Sequence, residues 1–102
     1  MLQITMIGEL TPGHKLLLSL ALSRGQVMPN GKVKNAMLMI EDAYSLYPSK
    51  YAAREAVMTL IYLKYLEQTD VPGRFRVISA PEECFKNAES MRERMKNNRR
   101  AI

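Results

Sequence analysis

A proline at position 48 constrains this chain more than any other single residue. It lies between two segments of helical character, in the stretch SLYPSKYAAREAV from Ser45 to Val57. Proline pushes the residue before it out of helical geometry, so a helix arriving here must stop at Tyr47. Ser49 follows, and a serine oxygen can accept the unpaired N–H groups that open a new helix. The sequence therefore predicts a helix–helix corner turned through Tyr47-Pro48-Ser49.

The flanking patterns support that corner. Val33, Ala36, Met37, Ile40, Ala43, Tyr44 and Tyr47 recur at three- and four-residue steps, which predicts one apolar face of a helix over 33–47. Glu41 and Asp42 fall elsewhere, toward solvent. The next helix is expected from Ser49 to about Gln68. Its first turns are small and polar, and its remainder, VMTLIYLKYLEQ, is apolar on nearly every side. Such a helix is buried by its own domain, by a second subunit, or by both.

Upstream, residues 1–7, MLQITMI, could form a short strand. Thr11 and Pro12 have the types of an N-cap and a first helical position, and the helix they open should end at Gly25. QVMPNGK reads as a loop. Downstream, RFRVISA alternates like a half-buried strand, with the N-terminal segment or its own copy in a dimer as partner. Ser79, Pro81 and Glu82 form a capping-box pattern for a last helix, whose apolar stripe is Phe85, Ala88, Met91 and Met95.

These readings predict a mainly α fold: a small helical domain with a helix-turn-helix-like corner and one or two short strands. One domain spans 1–102. Within it lie a helical core over about 12–70, the corner within 33–68, a self-association segment at 71–97 and a fraying tail at 98–102. A chain of 102 residues, 47% hydrophobic, suits one modest core, of the size that often gains stability from a partner. No apolar run approaches the ~18 residues that span a bilayer. The N-terminus lacks the pattern of a signal peptide, and the single Cys84 has no partner for a disulfide, so a cytoplasmic setting is expected.

A helix-turn-helix offers the N-terminal residues of its second helix to base edges. Lys50, Tyr51, Arg54 and Glu55 would lie on that outward face, with Ser49 beside them among the DNA contacts, while Ala52, Ala53, Ala56 and Val57 pack inward and Ala43 permits close approach. Lysine and arginine meet phosphates or guanine, and tyrosine can hydrogen-bond a phosphate or touch a thymine methyl. The competing reading is an ordinary corner between packed helices, and such turns usually carry glycine where this one has Tyr47 and Pro48.

Charge adds a second clue. Fifteen Lys and Arg outweigh ten Asp and Glu, for a net charge of +5. The excess is concentrated from Lys86 onward, where Arg92, Arg94, Lys96, Arg99 and Arg100 could attract phosphates nonspecifically. A solvated helix end would look the same.

Catalytic and metal chemistry find no support. His14 has no cysteine or clustered carboxylate at ligand spacing and is expected exposed in a first helical turn. Cys84 reads as a small core residue. Adjacent acids such as Glu82-Glu83 point to different sides of a helix and make no dyad. PNGK is too short for a phosphate loop. No enzyme, cofactor or metal site is expected.

The order of features resembles the plasmid global repressor family called TrfB or KorA, through LSRGQVMPNGK at 22–32, SLYPSKYAAREAV at 45–57 and VPGRFRVISAPEE at 71–83. The resemblance covers roughly residues 20–95 and departs at Tyr47, where a small residue is usual. It implies a dimer that occupies palindromic operators and blocks transcription. Lys50, Tyr51 and Arg54 would then read DNA, and 71–95 would self-associate, with Phe75, Val77, Phe85 and Met91 as its apolar contacts. The expected function is a sequence-specific DNA-binding repressor, a homodimer on double-stranded DNA. The alternative is a small protein–protein interaction module, such as a phage- or plasmid-encoded adaptor or inhibitor of a host protein.

Overall fold

The computed structural model describes residues 10–101, with side chains as far as Lys96. The strand expected at 1–7 lies outside them. Helix α1 (Pro12–Arg24) is followed by β1 (Gln26–Val27), β2 (Val33–Lys34) and β3 (Met37–Met39). Then come α2 (Ile40–Leu46), α3 (Lys50–Tyr62), β4 (Leu66–Gln68), β5 (Arg74–Val77) and α4 (Glu82–Ala101). Among the described residues, four helices and five short strands in two antiparallel sheets make this a mixed α/β domain, which corrects the mainly α expectation.

The correction falls between 26 and 39. Met28-Pro29-Asn30-Gly31 turns the chain back, with the Gly31 N–H on the Met28 carbonyl at 2.9 Å and the Met28 N–H on the Lys32 carbonyl at 2.7 Å. Gly31 takes φ +85°, the left-handed residue that closes a three-residue hairpin loop. Gly25 abuts β2, where a Cβ would collide with Val33. Asn35 then adopts φ +59°, which no right-handed helix accommodates. Helix 33–47 therefore shrinks to seven residues, Ile40–Leu46.

The next helix is also shorter than expected. Lys64 takes φ +70°, and its N–H reaches the Ile61 carbonyl at 3.1 Å while the Tyr65 N–H reaches Leu60 at 2.9 Å. That pair of bonds is a Schellman stop, with lysine where glycine is usual. The chain emerges extended into β4.

β5 is the central strand of the larger sheet, ordered β3-β5-β4. Its partners are Leu38 for Phe75, Met37 for Arg76 and Leu66 for Val77. It thus pairs within its own chain, not with an N-terminal strand or a second copy as expected. Leu38, Phe75 and Leu66 face the helices and are buried. Arg76 and Glu67 pair across the other face at 2.8 Å.

α4 lies along α1 in the same direction. The Cys84 thiol donates to the Lys15 carbonyl at 3.6 Å near one end, and Arg92 reaches Leu22 and Ser23 near the other. Lys15 pairs with Glu83 at 2.9 Å across the same seam. Cys84 and Ala88 are buried there, so one face of the segment 71–97 packs into this chain's own core. The helix starts at Glu82, and the Ser79 hydroxyl donates to the Lys64 carbonyl at 2.9 Å instead of capping it. α4 runs to Ala101.

Candidate nucleic-acid interface

The corner predicted around Pro48 is present. α2 ends at Leu46, and Ser49 caps α3 by accepting the Ala52 N–H at 3.1 Å. Ala43 on α2 and Ala53, Ala56, Val57 and Leu60 on α3 are buried, so alanine methyls let the two helices approach closely. Ala52, expected inward, is only half-buried.

Two further anchors fix the corner. The Arg24 guanidinium donates to both Asp42 oxygens, at 2.6 and 2.9 Å, joining the end of α1 to the start of α2. Asp42 also accepts the Met39 N–H at 2.9 Å, capping α2 from within. Arg24 holds the Asp42 carboxyl below the usual carboxylate range, with the Met39 N–H helping and burial opposing. Asp42 was expected to face solvent, and nothing in its sequence neighbourhood points to Arg24, eighteen positions away.

At the other end of α1, the Thr11 hydroxyl accepts the His14 N–H while His14 Nδ1 accepts the Thr11 N–H, each at 3.2 Å. Burial lowers the His14 pKa. The Tyr47 hydroxyl is buried against Gly13, and burial pushes its pKa up. A groove of about 340 Å³ runs between this end of α1 and α3, bordered by His14, Tyr51 and Glu55.

Lys50, Tyr51 and Arg54 are exposed, as the corner predicted. Lys50 and Arg54 converge on Tyr44 of α2. The Lys50 Nζ lies 5.5 Å from the ring centre and the Arg54 guanidinium carbon 6.0 Å. Arg54 Nε donates to the Tyr44 hydroxyl at 3.3 Å. Tyr44 had been assigned only to the core stripe, where its ring does pack. Neither cation has a carboxylate partner among the described residues.

The outermost line of α3 is apolar. At 100° per residue, Tyr51, Met58 and Tyr62 stack on the pole opposite the buried residues, and they are 74%, 63% and 71% exposed. Glu55 lies among them. The sequence showed apolar residues all round this helix without showing which would stay uncovered.

α4 packs on α1, and α1 also touches α3. Arg92 is half-buried, donating to Leu22 at 2.6 Å and Ser23 at 3.3 Å, so it caps the end of α1. Arg94 and Lys96 are exposed. The side chains of Arg99 and Arg100 lie outside the described residues. Of the apolar residues expected at a dimer seam, Phe75 is buried in the core, Val77 and Phe85 pack against it, and Met91 lines a groove between α1 and α4.

Among the described residues no cluster of His, Cys, Asp and Glu could hold a metal, and no helix is long and apolar enough to cross a membrane. Burial raises the pKa of Cys84. No protein-family model, curated protein or solved structure matches the chain.

Proposed function

We propose that this protein is a cytoplasmic DNA-binding transcriptional regulator that inserts α3 into the major groove. One observation carries the reading: α3 leaves a Ser49-capped corner with Lys50, Tyr51 and Arg54 on open surface and Ala53 and Ala56 against the body. The order of elements adds support. Setting aside the β1–β2 hairpin, the chain runs helix, strand, helix, turn, helix, strand, hairpin loop, strand, with the last strand central. That is the connectivity of a winged helix-turn-helix, in which the β4–β5 loop would flank the groove. A likeness of fold raises a function without assigning it.

Repression would follow from a dimer occupying a two-fold operator, with the two α3 helices one DNA turn, about 34 Å, apart. The resemblance to plasmid repressors motivates this part. The seam would involve the exposed parts of α4, since Phe75 is used within the chain.

The test is electrophoretic mobility of random-sequence duplex at low and moderate salt, with wild type and the Lys50→Ala/Arg54→Ala double variant. Wild type should retard the duplex at low salt, and the double variant should release it. No retardation by wild type at low salt removes the reading.

The exposed Tyr51, Met58 and Tyr62 favour a second reading, a protein-interaction module that docks a partner on α3. Under it, Met58→Ser/Tyr62→Ser would abolish capture of that partner while Lys50 and Arg54 were dispensable.

A further inference from the structure

We infer that Tyr44, Lys50 and Arg54 form one seat for a nucleic-acid backbone phosphate, and that base reading falls to Tyr51 and the residues in line with it. The inference rests on the DNA-binding reading and divides the labour within it. Arg54 would otherwise be the first choice for a base contact, because a guanidinium fork matches guanine. Its position says otherwise. Arg54 is drawn back toward α2, its Nε hydrogen atom already given to the Tyr44 hydroxyl.

That hydroxyl accepts one hydrogen bond and keeps its own proton to donate. The terminal Arg54 nitrogens have no partner among the hydrogen bonds of the described residues, nor does the Lys50 ammonium. Three donor groups on three side chains therefore lie around one ring at the rim of the corner. Like charges four residues apart on a helix repel. Placing both near the π system of one ring offsets part of that repulsion without a carboxylate. The ring face offers no hydrogen-bond acceptor to the Lys50 ammonium or the terminal Arg54 nitrogens, so these donors stay open to an anion. A tetrahedral phosphate presents enough oxygens for all three groups.

Tyr51 instead occupies the outermost pole of α3, in line with Glu55 and Met58, where a helix in a major groove meets base edges. A tyrosine ring there can contact a thymine methyl, and a glutamate can accept from cytosine.

Each lost phosphate contact lowers the slope of log K against log salt by ~0.9 on duplex DNA, uniformly across sequences. The experiment measures that slope for wild type, Lys50→Ala, Arg54→Ala, Tyr44→Phe and Tyr51→Ala. One probe is a random duplex; the other is a duplex enriched from a random pool by wild type. Circular dichroism melts confirm that each variant folds. Lys50→Ala and Arg54→Ala should each lose about one slope increment on both duplexes. Tyr44→Phe keeps both charges and the ring, so it should weaken binding several-fold on both duplexes with the slope nearly unchanged. Tyr51→Ala should keep the slope and shrink the preference for the enriched duplex. Wild type failing to bind either duplex overturns the DNA reading itself. Wild type binding while Arg54→Ala keeps its slope and loses the sequence preference overturns the seat alone.

Discussion

Removing the Asp42 carboxylate is the sharpest test of how the corner is held. Asp42→Ala deletes two hydrogen bonds from Arg24 and one from the Met39 N–H. The lost cap costs ~1 kcal/mol by analogy with other N-caps. An ion pair costs ~0–1 kcal/mol at the surface and ~3–5 kcal/mol when a buried partner is stranded. Here the Asp42 side chain is 15% exposed but Arg24 is 43% exposed, so the orphaned guanidinium recovers water. A value near the low end, ~1–1.5 kcal/mol, is therefore expected for the pair. The total is ~2–2.5 kcal/mol, a fall in melting temperature of roughly 10 °C for a chain of this size.

Asp42→Asn can keep the Met39 bond and one Arg24 bond but no charge, and should cost about half as much. The pH dependence has a definite sign. The folded Asp42 pKa lies below its unfolded value, so the stability it supplies is present above about pH 4 and is lost as pH falls through the folded value. Urea unfolding at neutral, mildly acidic and strongly acidic pH measures this. The gap between wild type and Asp42→Ala should hold constant from neutral to mildly acidic pH and close in strong acid. A gap under ~0.5 kcal/mol at neutral pH, or one that ignores acid, would refute the reasoning.

Arg92→Ala should cost ~1–2 kcal/mol of stability, read by urea unfolding, because two carbonyls at the end of α1 lose their donor. Its affinity for duplex DNA, corrected for folded fraction, should match wild type. Lys64→Gly should stabilise the chain by ~0.5–1 kcal/mol in the same assay, since glycine accepts the left-handed Schellman position without strain. His14 accepts the Thr11 N–H only while neutral, and its folded pKa is lowered. Its contribution is complete above about pH 6.5 and is lost as pH falls through the folded value, so melting temperature should drop in mild acid and drop less in His14→Asn.

Local chemistry made part of this fold legible. Thr11 with Pro12, Ser49 after Pro48, and the alternation at Arg74–Val77 each announce an element over a few residues, and each element forms. Strands of two or three residues leave no period to read, so Met37–Met39 fell inside the helix expected over 33–47. Asn35 and Lys64 take left-handed backbones inside otherwise helical patterns, a change of hand that no apolar spacing announces. The outward aim of Lys50, Tyr51 and Arg54 followed from the corner alone. The role of Tyr44 did not, because one ring both packs on the core and faces the two cations. Arg92 illustrates the remaining difficulty: within a run of like charges, only the docking of α4 on α1 decides which one turns inward.

The central place of β5 sets an order on assembly. β3 and β4 flank it without touching each other, so both wait, edges unpaired, until residues 74–77 arrive. On the ribosome, the helical corner can close early, but the sheet beneath it cannot. A nascent chain halted after Gln68 would present two orphan strand edges, the state in which a small protein is most open to chaperones and to aggregation.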